Sequence, residues 1–336
     1  MALHSRQVEN MLGPLNVLDL RHFAAHDLRP LLEAEAREWD AELMWDYSGS
    51  AEMILRYADS RILPGYAVME EGRVTAYSFF VYEGNKAIIG DCYAAPVARA
   101  AGGRLELQRR LLEHVIETLQ QTPGITRVES QLLLQPSEVI AAPFIEEGFA
   151  RYVRLFLSIE TSNLASRGNS RKATPLKAAA VKMRRWQESD FQAAALLITR
   201  SYAGHVDSII NDQYRTTSGS LRFLNNIVRF PGCGSFDAGA SLVAIDSRNP
   251  EQMVGLLLCS RVRADVAHIT QVCLLPEYRR QGLGRTMIEM CAAQVAFSKG
   301  KKLTLTVTAE NRSAVDLYLM LGFSVERNFD AFAWER

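Results

Sequence analysis

The residues with the clearest chemical potential form a short basic loop in the C-terminal half. The segment 279–285 reads R-R-Q-G-L-G-R and follows an apolar, strand-like run that ends at Pro276. Glycine lets the backbone turn tightly and approach a ligand, and the first amides of a helix have no partners inside that helix. Together with the positive end of the helix dipole and the arginines, such amides form an anion site suited to a pyrophosphate.

Other interpretations of this loop can be compared with the anion site. It is not a Walker loop, because no Gly-Lys-Ser/Thr is present, and it has only two of the three glycines of G-x-G-x-x-G. Taken alone, the loop could also be a tight turn with solvated arginines. We expect the helix that follows to begin near Gly284 and to bury one face, formed by Met287, Ile288, Cys291 and Val295.

A second motif begins 29 residues after Gly282. The segment 311–323 reads N-R-S-A-V-D-L-Y-L-M-L-G-F and follows the alternating run L-T-L-T-V-T at 303–308, which predicts a half-buried strand. The two motifs resemble the R-x-x-G-x-G and N-x-x-A-x-x-L-Y-x-x-x-G-F patterns of the Gcn5-related N-acetyltransferase (GNAT) superfamily, at the separation found in that superfamily. The resemblance covers residues 279–323 directly and, by element order, the whole C-terminal half.

The resemblance implies that acetyl-CoA is the co-substrate and that no metal takes part. Main-chain groups on the splayed fourth strand would pair with the pantetheine arm: Val272, Cys273 and Leu274. Main-chain amides of the basic loop would hold the pyrophosphate: Arg280, Gln281, Gly282, Leu283, Gly284 and Arg285. Asn311 would hydrogen-bond the pantetheine side.

Tyr318 is the residue that the resemblance places beside the departing CoA thiolate. A thiolate that leaves in a dry cleft must be protonated or hydrogen-bonded, and general acid catalysis of this kind is worth ~10²–10⁴-fold in rate. The alternative is a core aromatic, since Ala314, Val315 and Leu321 share its helix face. Within this motif we expect Tyr318 to be the general acid.

The attacking amine must also lose a proton. Ribosomal-protein-type members of the superfamily carry a glutamate at the position of Thr306, which cannot serve, whereas histone-type members carry one on the fourth strand at the position of His268. Histidine titrates near neutrality and acts directly or through water. We expect His268 to share a strand face with Thr270, Val272 and Leu274, towards the cleft. The alternative is a histidine with a structural hydrogen bond beside the site.

Polar residues in the segment 201–214 predict a wall of the acceptor pocket, since in this superfamily the first two helices and their connection form that wall. The candidates are His205, Asp207 and Asn211, of which Asp207 can bind an amine electrostatically. Asx residues are also frequent in turns and helix caps, which is the alternative role. The expected acceptor is a small-molecule amine or a peptide amine.

The bulk composition argues against several other partners. The 336 residues include 38 basic and 38 acidic side chains, so charge gives no reason to expect nucleic acid or an anionic membrane. No apolar run approaches the ~18–20 residues that span a bilayer, and the first ten residues lack a signal peptide. Five scattered cysteines without a C-x-x-C pair favour neither disulfides nor zinc. We expect a cytoplasmic protein, whose oligomeric state the sequence leaves open.

The order of elements predicts two related domains. A polar, basic segment, 161–177, is predicted to link residues 1–160 to residues 178–336. Each block starts with a strand and helices and continues with a run of strands, a long amphipathic helix, another strand, a helix that ends in Gly-Phe and a closing strand. The Gly-Phe pairs are Gly148-Phe149 and Gly322-Phe323. The predicted fold class is α/β, with two tandem GNAT-like domains, each a mixed, mostly antiparallel sheet flanked by helices.

The first copy lacks several residues of the motifs. Its parallel loop, 99–104, keeps the first glycine at Gly102, but Arg104 stands where glycine or alanine is needed. Phe144 replaces the tyrosine and Ser137 the asparagine. We therefore predict a degenerate copy that braces the active domain, shapes the acceptor pocket or holds CoA without turnover.

The predicted function is transfer of an acetyl group from acetyl-CoA to a primary amine by direct attack, without a covalent enzyme intermediate. One alternative is an acyltransferase that uses a longer acyl-CoA. Another is a non-catalytic, regulatory module that binds acyl-CoA. A third role, as an interaction scaffold built on the N-terminal half, is compatible with catalysis.

Overall fold

The computed structural model describes residues 16–96, 103–136, 140–164 and 181–336. They form two compact units. Unit 1 contains the described residues up to Leu43, Tyr47–Tyr152 and Phe329–Arg336, and unit 2 contains Met44–Asp46 and Val153–Asn328. Of the predicted linker, residues 161–164 are helical and Leu164 is buried, while the rest lies outside the described residues.

Unit 1 is a sheet with helices; in the part of it that the structure describes, the β4–β5 pair is parallel and the other pairs are antiparallel. Its strands are β1 (Asn16–Asp19), β2 (Gly65–Glu70), β3 (Arg73–Glu83), β4 (Lys86–Ala94) and β5 (Arg127–Gln131), in that spatial order, and the end of β13 lies beside β5. Its helices are α1 (Ala25–Leu43), α2 (Ser48–Asp59), α3 (Gly103–Gln121) and α4 (Ala141–Glu146).

Unit 2 has the spatial strand order β6-β12-β11-β10-β9-β7, with β8 beside β10. The strands are β6 (Ala150–Glu160), β7 (Val181–Arg185), β8 (Ser235–Phe236), β9 (Leu242–Asp246), β10 (Met253–Arg263), β11 (Val266–Leu274), β12 (Lys302–Thr308) and β13 (Ser324–Glu335). The helices are α5 (Phe191–Ser201), α6 (Val206–Ile210), α7 (Thr217–Arg229), α8 (Leu283–Phe297) and α9 (Arg312–Leu321). Within the described residues, β11 and β12 pair in parallel, and the pairs β6–β12, β10–β11, β8–β10, β9–β10 and β7–β9 are antiparallel. The predicted fold class, mixed and mostly antiparallel sheets with helices, is confirmed.

The two helices that carry the motifs of unit 2 have clear starts, stops and buried faces. The predicted apolar face of α8 is fully buried: Met287, Ile288, Cys291 and Val295. Helix α9 ends at Gly322, which has a left-handed φ of 97° and donates its amide to carbonyls of the last turn, so a side chain there would be strained. In the described part of the chain, no helix is long and apolar enough to cross a bilayer.

The closing strand of each half belongs to the unit of the other half. Residues 154–160 of β6 pair antiparallel with β12 in unit 2, and residues 331–335 of β13 pair antiparallel with β5 in unit 1. The compact units therefore differ from the predicted linear domains 1–160 and 178–336. An alternating strand must find a partner edge, but its pattern does not specify which of two similar edges it joins.

Candidate active site

The candidate site lies where two parallel strands of unit 2 separate. The pairing of β11 with β12 runs from Val266 opposite Lys302 to Ile269 opposite Leu305, although both strands continue beyond that point. A cavity with about 540 Å³ of empty space, part of it open to solvent, occupies the gap. Its lining side chains are Arg154, Tyr202, Asp207, Tyr214, Ile269, Thr270, Gln271, Val272, Leu305, Thr306, Val307, Asn311, Ala314 and Tyr318.

A bulge in β11 shapes the wall of this cavity. Ile269 lies opposite Cys259 and Gln271 lies opposite Leu258, which leaves Thr270 without a partner on β10. On the cavity side, two side chains contact the main chain after the bulge. The Val272 amide donates to Oε1 of Gln271 at 3.0 Å, and the Tyr202 hydroxyl lies 3.5 Å from the Val272 carbonyl oxygen. These are main-chain groups that an incoming ligand can take over by displacing a side chain.

The bulge also overturns the expected position of His268. Because Thr270 interrupts the alternation, His268 does not continue the face of Thr270, Val272 and Leu274, and it does not line the cavity. Its Nδ1 lies 2.8 Å from Oγ1 of Thr304, and its side chain is buried. Burial, with a smaller contribution from the charge of Arg154, lowers the pKa of His268 to about 3. A group with that pKa is a weak proton acceptor at neutral pH.

The basic loop is turned by two residues with left-handed backbone, Arg280 (φ 62°) and Gly282 (φ 84°). Helix α8 begins at Leu283, one residue before the predicted start, and Gly282 at its N-cap offers no side chain to the first-turn amides. Those amides are therefore not capped by the preceding residue.

The three arginines of the loop differ in their partners. The Arg279 guanidinium donates to the carbonyl oxygens of Leu274 at 3.1 Å and of Ser201 at 2.7 Å, so it ties the loop to the ends of β11 and α5. Arg285 pairs with Glu289 at 2.7 Å. Arg280 is exposed.

Tyr318 and Asn311, the two candidates from the second motif, both line the cavity. The Tyr318 side chain is only 5% exposed, and burial, followed by the charge of Asp207, raises the pKa of its phenol. The phenol therefore keeps its proton at neutral pH. Asn311 is the N-cap of α9, where its Oδ1 lies 3.4 Å from the Ala314 amide, so its side-chain NH₂ group is the part suited to a ligand.

Of the three predicted acceptor residues, only Asp207 lines the cavity. His205 is the N-cap of α6, and its Nδ1 accepts the Asp207 amide at 3.1 Å. Asn211 caps the short 3₁₀ turn that follows α6, and its Oδ1 accepts the Gln213 amide at 3.0 Å. The structure therefore gives His205 and Asn211 capping positions and brings Asp207 into the site.

Sequence reasoning missed several cavity residues, above all Arg154. This arginine lies on β6, and its Nη1 is 3.2 Å from Oδ1 of Asp207 and 3.2 Å from Oγ1 of Thr308. It is separated from Asp207 by 53 residues, and no motif marks it. Tyr202 and Tyr214 were missed as well; their rings stack with centroids 4.5 Å apart, and the Tyr202 hydroxyl donates to Oε1 of Gln271 at 2.8 Å.

In the corresponding region of unit 1, the residues at two motif positions contact side chains of the same unit. Arg104, at the position that needs a small residue, pairs with Glu38 at 2.7 Å and lies over the ring of Tyr93. Phe144, at the tyrosine position, is fully buried and stacks on Phe332 with centroids 4.0 Å apart. The other predicted differences, at 99–102 and at residue 137, lie outside the described residues.

Comparison with known proteins agrees with this geometry. The sequence model described as the acetyltransferase (GNAT) family matches residues 207–323. Over 73 residues, 21% of this chain, the sequence is 34% identical to an Escherichia coli K12 protein named [ribosomal protein bS18]-alanine N-acetyltransferase. The match spans about half of that relative, 49% of its length.

Two solved structures share the fold over almost the whole chain. A GCN5-related N-acetyltransferase from Sphaerobacter thermophilus is 17% identical with a TM-score of 0.63, and the match covers 96% of this chain and 95% of that one. A tandem GNAT protein from the clavulanic acid biosynthesis pathway is 15% identical with a TM-score of 0.61, and the match covers 96% and 98% of the two chains. Both matches show the fold. The sequence of residues 207–323 is therefore similar to the acetyltransferase (GNAT) family, and the fold over almost the whole chain is the one found in solved GNAT proteins.

Proposed function

We propose that this protein transfers an acetyl group from acetyl-CoA to a primary amine of a small-molecule or peptide acceptor. The observation that carries the proposal is the composition of the cavity between β11 and β12. A protonated phenol, Tyr318, and a carboxylate, Asp207, line the same space. These are the two proton-handling groups that acyl transfer to an amine requires.

The residues around the cavity suit a CoA thioester. The main chain of Val272 and its neighbours Cys273 and Leu274 lies along the gap left by β12, which is where a pantetheine arm can pair with a strand. The NH₂ group of Asn311 is available to a pantetheine carbonyl. The amides from Arg280 to Arg285, at the start of α8, offer donors and a positive dipole end to a pyrophosphate.

The residues of the cavity would divide the chemistry as follows. Asp207 binds the ammonium group of the acceptor and takes up its proton, which frees the nitrogen lone pair. The amine attacks the thioester carbonyl and a C–N bond forms; the nitrogen then releases its second proton to solvent, and the C–S bond breaks. Tyr318 donates its proton to the departing thiolate and regains one from solvent. His268, predicted as the base, has low basicity and no place in the cavity lining, so we assign this step to Asp207.

The same geometry favours direct attack over a covalent enzyme intermediate. In the described part of the chain, none of the side chains that line the cavity is a cysteine or a serine. The nearby thiol of Cys273 is buried, and burial raises its pKa to about 12, so it stays protonated. A thiol in that state is a poor nucleophile.

We also propose that unit 1 is a degenerate copy that binds no acetyl-CoA. Its support is the pair formed by Arg104 and Glu38, together with the absence of a hydroxyl at Phe144. Catalysis would then belong to unit 2 alone.

Release of free thiol from acetyl-CoA across a panel of amines tests the proposed function. We expect amine-dependent thiol release in a one-to-one ratio with the acetylated amine. A non-catalytic module would take up acetyl-CoA in calorimetry without releasing thiol, and a longer-chain acyltransferase would prefer a longer thioester in the same assay. Absence of acetyl-CoA uptake would refute the proposal.

A further inference from the structure

The N-terminal half of the sequence contributes a charged residue to the candidate active site of unit 2. Arg154 lies on β6, whose residues 154–160 complete the sheet of unit 2 beside β12. Its partner on β12 is Thr308, the last residue of that strand, so the arginine lies at the end of the strand that borders the cavity. Its side chain is 14% exposed and lines the cavity.

Arg154 binds one oxygen of the Asp207 carboxylate. Nη1 of Arg154 lies 3.2 Å from Oδ1 of Asp207, and the Thr308 hydroxyl donates to the same Oδ1. Nη2 of Arg154 lies 3.4 Å from Oγ1 of Thr306, on the wall of the cavity. Two donors thus hold Oδ1.

The other carboxylate oxygen of Asp207 has different surroundings. Oδ2 lies 3.4 Å from Nδ1 of His205, and that nitrogen already accepts the Asp207 amide, so it carries no hydrogen to donate to Oδ2. Oδ2 therefore keeps its capacity to accept a hydrogen bond. Fixing one oxygen of a carboxylate orients the other, and it restricts the side chain to the geometry needed for the acceptor.

Arg154 and Asp207 are the two charged side chains among those that line the cavity in the described ranges. The guanidinium of Arg154, at 3.2 Å, makes a charge-assisted hydrogen bond to the carboxylate of Asp207, and such a bond restricts the orientation of the carboxylate.

We propose that Arg154 is a positioning residue of the acetyl transfer, which holds the carboxylate of Asp207 aimed at the acceptor amine through a strand that the N-terminal half supplies. This inference depends on the proposed function, since it assigns Asp207 to the acceptor. It also means that the acceptor pocket is complete only when β6 lies beside β12.

The test is steady-state kinetics of Arg154→Met and Arg154→Lys, with acetyl-CoA and the best amine from the panel. We expect Arg154→Met to lower kcat/KM for the amine by about 10-fold or more, as expected for loss of a charge-assisted hydrogen bond, and to leave acetyl-CoA affinity in calorimetry unchanged. Arg154→Lys should recover part of the loss, because it restores the charge but not the planar fork. Added guanidinium ion should partly restore kcat/KM for the amine in Arg154→Met, because it can occupy the site of the missing side chain. If Arg154 had only a structural role, we would expect no such rescue.

A matched control comes from a second arginine–aspartate pair in unit 2. Arg184 binds Asp190 through two hydrogen bonds of 2.6 and 2.7 Å, and neither residue lines the cavity. Arg184→Met removes a pair of the same kind and should leave kcat/KM for the amine unchanged. If Arg184→Met loses as much as Arg154→Met, the positioning role is wrong.

A double substitution keeps the proposal open to refutation if Arg154→Met unfolds. Asp207→Asn should lower kcat/KM for the amine, and Arg154→Lys added to Asp207→Asn should lower it no further, because the two residues act as one unit. Independent, multiplicative losses would overturn the proposal. If the unmodified protein releases no thiol, the proposed function fails; if it is active and Arg154→Lys and Arg154→Met match it, only this inference fails.

Discussion

In both units a parallel strand pair stops at a bulge, and the two structures diverge after that point. In unit 1 the bulge falls at Gly90, between Ile89 and Asp91, and in unit 2 it falls at Thr270. The parallel pairing ends beside the bulge in each case, with Ile89 opposite Ser130 and Ile269 opposite Leu305. The backbone design of the two clefts is therefore shared.

The main-chain carbonyl that follows the bulge has different hydrogen-bond partners in the two units. In unit 1 the Cys92 carbonyl accepts hydrogen bonds from Nε2 of Gln108 at 3.3 Å and from Nε2 of Gln135 at 2.9 Å. In unit 2 the equivalent carbonyl, that of Val272, lies 3.5 Å from the Tyr202 hydroxyl, a longer contact than either of those two. A strand whose groups are already well paired has little to offer a pantetheine arm.

The two units also differ in the acidic side chains that are buried near the bulge. In unit 1 Asp91 accepts a hydrogen bond from Tyr47 at 2.8 Å, and the fully buried Glu35 accepts one from Tyr77 at 2.6 Å. Unit 2 has the neutral Gln271 at the position of Asp91. The same backbone bulge is therefore surrounded in unit 1 by acidic and tyrosine side chains that hydrogen-bond one another, and in unit 2 by side chains that line a cavity.

Of the changes that test this comparison, removal of the N-terminal half should have the largest effect on activity and stability. A fragment of residues 181–336 lacks β6, so the edge of β12 loses its partner strand and the cavity loses Arg154. We expect complete loss of transfer activity and of cooperative thermal unfolding. A fragment of residues 150–336 contains β6 and should therefore bind more acetyl-CoA in calorimetry than the 181–336 fragment does. A soluble, fully active 181–336 fragment would show that the exchanged strand is dispensable.

Tyr318→Phe is expected to give the next largest effect. Loss of the proton donor should lower turnover by about 10-fold or more, on the scale of general acid catalysis, with little change in acetyl-CoA affinity. Tyr278, whose hydroxyl donates to Asp246 at 2.7 Å outside the cavity, provides the control, and Tyr278→Phe should keep normal turnover. Thiol release and calorimetry together measure both quantities. Equal turnover in Tyr318→Phe and the unmodified protein would remove Tyr318 from the mechanism.

Glu35→Gln should change the pH dependence of stability by a smaller amount. Burial, then the charge of Asp91, raises the pKa of Glu35 well above its usual 4.5. The folded state therefore binds a proton that the unfolded state has released, and stability falls as the pH rises above about 4.5 and through the folded pKa, by at most about 1.4 kcal/mol per pH unit. Thermal unfolding across pH should show a flatter dependence in Glu35→Gln. Glu33→Gln, at an exposed position of the same helix, should retain the slope of the unmodified protein.

Arg104→Gly should have the smallest effect, since it restores only one element of the motif in unit 1. The Cys92 carbonyl would still be occupied by Gln108 and Gln135, so we expect no additional acetyl-CoA site. Calorimetric stoichiometry measures this directly. A second binding event per chain in Arg104→Gly would mean that the arginine alone closes the cleft of unit 1.

The motifs predicted the turns and helix caps around the candidate cofactor region, because those interactions are local. Gly282 and Gly322 have left-handed backbone, and Asn311 is a helix cap; each follows from residue type and spacing within one strand–loop–helix unit. Tyr318 lies in the cavity because α9 has a regular period. The α/β fold with two related halves was predicted from the repeated order of elements.

The acceptor region was decided by tertiary structure. A bulge of one residue at Thr270 moved His268 off the expected face, and no local pattern marks such a shift. His205 and Asn211 are helix caps, because their side chains accept hydrogen bonds from main-chain amides two residues further along the chain. Arg154 joined Asp207 only through the exchange of closing strands. The spacing of residues along the chain determines turns, caps and helix faces, because these depend on neighbouring residues. Which of two similar sheet edges a strand joins depends on long-range packing, which local sequence patterns do not specify.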